Sequence, residues 1–342
     1  MSMIEARIIA DSVGYRSKAR ITTFELTYPR FIHSELMTHR LFSRNAMSSR
    51  AVPIKTMVKL IRENMAMPVR FGANQPGMQD KGTEHDGSVW YDWVEDTSGV
   101  CHELYCTGRE AWAKAAENAC EWAERFEAAG FHKQIANRLI EPFQMMKTIV
   151  TATEFENFFW LRVDADADPT IEVLAKKMHE AYKASTPEWL QPGVWHTPYV
   201  DHCFDSGPLG DGHIFAGYCV QDEDGNHIML SEEEALSISS SCCGQVSYRR
   251  LNNTKDKALD IYAKLVSGKK VHASPFEHQA KEIEETFEPD EVQDGYNMVN
   301  VPWCSESWEE GITHVDRDGN FWSGNLKGFV QHRQLIPGHV AK

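Results

Sequence analysis

The sequence predicts an α+β fold in which antiparallel strands pack against long helices. Two strand-like runs, 4–10 and 19–28, follow one another with a polar, glycine-containing stretch between them, the order of an antiparallel pair. Helix-period segments then recur at about 102–129, 132–140, 168–185 and 254–266. No short-period repeat is present. We therefore read 1–342 as one elaborated domain, with 1–190 and 191–342 as its two parts.

Each element has a local reason. In "RITTFELTY" the residues Phe24, Leu26 and Tyr28 alternate onto one face. Pro29 suits the first turn of a helix, where its missing N–H costs nothing, and Ile32, Leu36 and Phe31 give that short helix an apolar side. It should end near His39-Arg40 and deliver "THRLFSRNAMSSR", Thr38 to Arg50, as a loop. Residues 66–100 read as a long loop. The alanine-rich run 102–129 reads as a helix stopped by Gly130. A second helix covers 132–140, and 148–162 is apolar enough to be buried. Asp168 and Pro169 are a start signal ahead of Ile171, Leu174, Met178 and Tyr182 at helical spacing. Residues 186–230 read as irregular, Thr254 as the cap of a helix through Val266, and 282–294 as acidic and solvated.

Charge narrows the function. The chain carries 50 Asp+Glu against 35 Lys+Arg, a net −15, which argues against a nucleic-acid polymer or an anionic membrane as partner. A small phosphorylated ligand needs only a local basic pocket. No apolar run approaches the roughly 18–20 residues that span a bilayer, and "MSMIEARIIADS" has no secretory pattern. Eight dispersed cysteines, without a paired Cys/His spacing, suggest reduced thiols in a cytoplasm and no metal.

Against that acidic background, Arg30, Arg40, Arg44 and Arg50 face only Glu35 between positions 30 and 50. Ser48, Ser49 and Arg50 offer hydroxyls, backbone N–H groups and a planar fork of donors that suits phosphate oxygens. Read alone, the same residues also suit a solvated loop with surface arginines. His272 and His278, six apart with Pro275 between them, do not share a helix face, so they do not read as a metal pair.

The spacing of His39-Arg40, Ser43, Asn45, Ser48 and Arg50 resembles the R-H-R-x-x-S-x-N-E-x-S-x-R signature of flavin-dependent thymidylate synthases. "HASPFEH", His272 to His278, is similar to that family's H-x-[ST]-P-F-E-H block, and "GQVSYRRL" to the V-S-Y strand and short helix before it. "ANRLIEPF" and "NFFWLR" resemble a third region, with Arg138 and Arg162 as its nucleotide arginines and Asn157 as its flavin-side amide. The family's order places the SPFEH block first. Here it comes last, so the chain resembles a circular permutation, followed by a tail in which Gln331-His332-Arg333 looks like a second, degenerate copy of the turn. The signature's first Arg is Thr38 and its Glu is Ala46. An upstream Gln is Glu35, and a downstream His is Asp166.

The resemblance implies FAD held by His39, Arg40, Asn45, Asn157, His272, Ser274 and Glu277. It implies a nucleotide held by Glu35, Ser48, Ser49, Arg50, Arg138 and Arg162, with Arg162 also the catalytic group. The implied reaction is methylation of dUMP at C5, using methylenetetrahydrofolate and NADPH, at subunit interfaces of a homotetramer. Two alternatives stay open. One is a related C5-modifying enzyme on another pyrimidine nucleotide, such as a dCMP methylase or hydroxymethylase. The other is an inactive nucleotide-binding paralogue.

Overall fold

The computed structural model describes residues 3–77, 79, 82–206, 213–222, 224–247, 254–267, 270–284 and 308–340. Strand β1 (Glu5–Gly14) pairs antiparallel with β2 (Arg20–Pro29), as the two runs predict, with a bulge between Ile8 and Ala10. Phe24, Leu26 and Tyr28 all point into the core. After a 3-10 turn at Arg30–Ile32 the short helix α1 (His33–Leu36) buries Ile32 and Leu36, but it ends before His39.

The next segment departs from the expected loop. Ser43–Ala46 forms strand β3, which later pairs with Thr148–Thr151. Helix α2 (Ile54–Glu63) follows. The stretch expected as a loop and a helix start instead holds an exposed hairpin, β4 (Ser88–Glu95) and β5 (Cys101–Thr107). Its aromatic and β-branched content favours strands, which helix-period reading passes over. Helix α3 (Gly108–Ala128) therefore starts at a Thr107/Glu110 capping box, and Gly130 follows it at φ +83°. Residues 132–140 yield only the turn α4 (Lys133–Ala136) and a 3-10 stretch, Asn137–Phe143.

Strand β6 (Met145–Ala152) is the buried run, and helix α5 (Glu156–Arg162) carries "NFFWLR". Helix α6 (Pro169–Ala184) begins where expected, with the Asp168 carboxylate accepting from the N–H groups of Thr170 and Ile171. Strand β7 (Glu188–Leu190) adds to β1 in parallel and completes a five-stranded sheet in the order β3-β6-β2-β1-β7. One core joins β2 to α5 and α6 through Phe24, Phe155, Phe158, Leu174 and Met178. A second packs α2 and α3 through Met57, Ile61, Ala116 and Cys120.

Residues 186–230, expected to be irregular, hold β8 (Trp195–His196), β9 (Asp201–Ser206), β10 (His213–Gln221) and β11 (His227–Leu230), the last three forming an antiparallel sheet. Helix α7 (Glu232–Gly244) is buried from Ala235 through Cys243, so its run of serines and cysteines has no polar face to betray a period. Helix α8 (Lys255–Val266) starts after Thr254. In "GQVSYRRL" Gln245–Ser247 is a 3-10 turn, not a strand, and 248–251 lie outside the described residues, as does most of the 282–294 stretch. Strand β12 (Ala280–Glu282) is followed by β13 (His314–Val315), β14 (Phe321–Ser323), β15 (Leu326–Lys327) and β16 (Phe329–Gln331). β12 pairs with both β16 and β8, and this half closes a third core around Trp195, Tyr218, Ile238, Leu326 and Phe329. The whole is α+β. Among the described residues no helix is long and apolar enough to cross a membrane.

Candidate active site

The signature residues sit at one edge of the five-stranded sheet. Arg44 fixes the turn before β3 by donating from Nη1 to the carbonyls of Met37 (2.9 Å) and His39 (3.0 Å). Its cation is thus spent on shaping the loop, leaving Arg40 and Arg50 exposed and without an ion pair among the described residues. His39 packs edge-on to Phe158 at 4.8 Å and stacks with Phe42 at 5.8 Å. Its Nε2 accepts from Arg162 Nε at 3.2 Å, which puts the ring proton on Nδ1. Burial, and then the Arg162 and Arg44 charges, push His39 down to about 4, so the imidazole is neutral at pH 7.

Arg162 Nη1 lies 3.8 Å from Glu35 Oε2, which makes Glu35–Arg162–His39 a continuous polar cluster. Burial raises the Glu35 carboxyl, the Asp168 charge adds to this, and Arg162 opposes both. The helix that ends on Arg162 carries Asn157 in its first turn, where it is exposed.

The 48–52 segment is held from below. Asn137 donates from Nδ2 to the carbonyls of Ser49 (2.6 Å) and Val52 (2.9 Å). Ser49 is buried, Ser48 is half-buried, and the N–H of Arg50 meets Ser48 Oγ at 3.3 Å. The neighbour of Asn137 in sequence, Arg138, is exposed with its guanidinium on Glu141 at 3.1 Å. An apolar groove of about 290 Å³ opens beside this loop, lined by Met47, Val52, Met57, Ile61 and Met146 among others.

The structure brings "HASPFEH" to the same strand. Ser274–Glu277 is a 3-10 turn whose Glu277 pairs with Arg333 and lies in the field of Arg44. Burial nonetheless raises the Glu277 carboxyl. Gln331 binds the two blocks together: its Nε2 donates to Ser43 Oγ (3.2 Å), Asn325 Oδ1 (3.0 Å) and the Glu277 carbonyl (3.3 Å). Asn325 in turn donates to the Leu41 carbonyl at 2.8 Å. On the other side, Asn45 is buried and donates to the Cys243 carbonyl at 3.1 Å. His272 and Ser274 are exposed beside this junction, whereas His278 is buried with Nδ1 on Thr151 Oγ1 at 2.8 Å. The triplet Gln331-His332-Arg333 is spent internally, with His332 buried against Phe276 and Trp195.

Asn137 and Asn325 were not among the sequence candidates, and Gln331 was noted only within the degenerate copy of the turn. They are ordinary amides whose partners lie far off in the chain, and the one local signal is that Asn137 adjoins Arg138 and Gln331 adjoins the His332-Arg333 pair.

Arg40, Arg50, Asn157, His272 and Ser274 are exposed, and His39 is neutral. That donor set suits an anionic, multiply hydrogen-bonding group such as a nucleotide or FAD. The buried His278 Nε2 and Arg333 Nε, both without a partner among the described residues, border the same junction.

A family model described as thymidylate synthase complementing protein matches residues 19–188. The fold is similar to a UMP/dUMP methylase, PolB, from Streptomyces cacaoi bound with 5-Br dUMP, at 15% identity and TM-score 0.38, covering 54% of this chain and 91% of that one. It is also similar to thymidylate synthase X from Helicobacter pylori with FAD and dUMP, at 15% identity and TM-score 0.32, covering 47% and 67%. No curated protein sequence matches. The matched residues 19–188, which hold β2, β3, the Arg138 turn and the Arg162 helix, are those of the thymidylate synthase complementing protein family.

Proposed function

We propose that the chain is a flavin-dependent enzyme that methylates a pyrimidine nucleotide at C5, with dUMP as substrate and dTMP as product. The observation that carries this reading is the meeting of two distant blocks. Ser43 of the signature strand and Glu277 of the SPFEH turn share Gln331, beside the His39–Arg162–Glu35 cluster. FAD, when bound, would supply the redox and one-carbon chemistry, with methylenetetrahydrofolate as carbon source and NADPH as electron source.

The chain's own residues would bind and polarise. Ser48, Ser49, Arg50 and Arg138 would hold the phosphate, using the donors of the 48–52 turn and the Asn137 bracket beneath it. Arg162 would stabilise negative charge developing on the pyrimidine, which preorganised cations do most effectively in a partly buried site. Neutral His39 orients Arg162 without adding a competing cation. His39, Arg40, Asn45, Asn157, His272, Ser274 and Glu277 would face or support the flavin, with Asn45 acting through its hold on α7. So many exposed donors fit a site completed by a second copy of the chain, as in a homotetramer.

Three of the buried thiols are poor candidates for a nucleophilic thiolate. Burial pushes the Cys120 thiol up to about 11 and Cys242 up to about 12, and raises Cys243 well above its ordinary range.

The test is direct. Purified protein should carry flavin absorbance that NADPH bleaches, and should consume methylenetetrahydrofolate only when dUMP is present. A colourless protein that takes up no FAD would overturn the proposal. A second reading keeps the flavin and changes the base to that of dCMP. Glu35 stands beside Arg162, and a carboxylate accepts from an exocyclic amino group where an amide need not. Melting-temperature shifts with dUMP and dCMP separate the two, because the ligand that binds the folded state stabilises it.

A further inference from the structure

The sheet β9–β10–β11 carries a cluster that the nucleotide site does not use. Across the strands Asp201, Cys219 and Met229 are Cα partners, Cys203 faces Gly217, and Gln221 faces His227. Directly opposed residues share a face and successive residues alternate, so Cys203, Cys219 and His227 stand together on one face. The other face turns Tyr218 and Val220 into the core. His227 Nδ1 lies 3.2 Å from Cys219 Sγ and 3.9 Å from Cys203 Sγ, and the three atoms all fall within 4.8 Å of one another. A tetrahedral zinc ion with ordinary bond lengths would set its sulfur and nitrogen ligands about 3.5–3.8 Å apart.

Two features of the strands hold this face ready. Gly217, at φ +149° beside a bulge, presents no side chain opposite Cys203, and a Cβ there would come within 2.9 Å of Met229 Cε. At the other end the Asp222 carboxylate accepts from the N–H groups of Asp224 (2.9 Å) and Asn226 (2.8 Å), closing the turn that delivers His227. Two thiols and an imidazole are the donor set that borderline-soft Zn²⁺ prefers over hard cations.

We propose that Cys203, Cys219 and His227 bind one zinc ion, with the fourth position taken by water or by the Asp201 carboxylate. The three ligands come from three strands at spacings of sixteen and eight residues, which is why no Cys/His sequence pattern announces them. The role that follows is a clamp. Zinc would join β9, β10 and β11 on the face away from the core, and β10 and β11 pack on α7, the helix whose Cys243 carbonyl holds Asn45. This inference is independent of the nucleotide reaction.

The test uses the full chain, purified with reductant and without an affinity tag. After zinc loading and gel filtration, about one zinc per chain is expected. Cys203→Ser, Cys219→Ser and His227→Ala should abolish it, while Cys101→Ser and His102→Ala, on the exposed hairpin, should keep it. A strong chelator should lower the melting temperature, and added zinc should restore it. Cobalt(II) in place of zinc should give a thiolate charge-transfer band, a readout on wild-type protein that stands even if the variants fail to fold. Substoichiometric zinc with no charge-transfer band would overturn the proposal. So would Cys203 and Cys219 resisting alkylation until a disulfide is reduced.

Discussion

Arg50 and Arg138 are exposed, so removing either guanidinium subtracts ligand contacts and little packing. Arg50→Ala and Arg138→Ala are each expected to weaken dUMP binding by about 2–4 kcal/mol, because each removes a charge-assisted contact to phosphate. Calorimetric titration checks this, and unchanged affinity in both variants would remove the anion site. Glu277 behaves differently. Its side chain is mostly buried, and Glu277→Ala leaves the Arg333 cation without its partner, at a cost of about 2–3 kcal/mol in unfolding free energy. Denaturant titration should show that loss, and Arg333→Met in the same chain should recover part of it. The exposure of Arg50 was legible in the sequence, because a cation in a polar, hydroxyl-rich turn stays solvated whether or not it holds an anion. Gln331 was not: its bond to Ser43 spans 288 positions, and nothing local in "GFVQHRQL" says where that amide will point.

At the scale of elements, the central strands share a buried polar chain. Ser12 Oγ meets His196 Nδ1 at 2.8 Å, His196 Nε2 meets Thr23 Oγ1 at 2.8 Å, Thr23 meets Thr151 at 2.7 Å, and Thr151 meets His278 Nδ1 at 2.8 Å. It ties β1, β2 and β6 to β8 and to the end of the SPFEH turn. Burial pushes both histidines down to about 3, with the His202 and His278 charges adding to the effect at His196. The unfolded chain, whose histidines keep the ordinary value near 6.5, therefore binds more protons than the native one throughout the interval between these values. Stability is full above about pH 6.5 and falls as pH drops toward 3, by about 2 kcal/mol per histidine at pH 5. Denaturant midpoints measured from pH 7.5 to 5 should decline, and the decline should be shallower in His278→Gln. An equal slope in that variant would show that His278 is not a contributor. The strands of this chain were legible where they alternate, as in β2, whereas β8 is too short, and β9 to β11 are interrupted by Asp- and Gly-rich sequence that made the whole stretch read as irregular. Helix α7 escaped notice for the opposite reason: it is buried all round.

For the whole molecule, the wide separation of the two blocks in sequence sets a condition on assembly. His39 and His272 are 233 positions apart, yet their segments meet through β3, Glu277 and Gln331. Closure over such a length is affordable because its entropy cost rises only logarithmically, and the cores on either side position the ends. The resemblance carried by three short motifs led to the expectation that the two blocks meet, and both reach β3 and Gln331. The motifs could not show that the tail strand β16 is the clasp, since that depends on its pairing with β12. If the clasp builds a flavin site, then an exposed residue of the late block and one of the early block should matter alike. His272 and Arg40 are both exposed, so His272→Ala and Arg40→Ala should leave the melting temperature of the cofactor-free protein unchanged. Each should nevertheless lower the FAD retained through gel filtration, by a similar factor of about ten, the loss expected for one charge-assisted hydrogen bond. Flavin absorbance per chain gives the comparison. If His272→Ala retains FAD fully while Arg40→Ala loses it, the late block lies outside the cofactor site, and β3 with the Arg162 helix must bind the flavin without it.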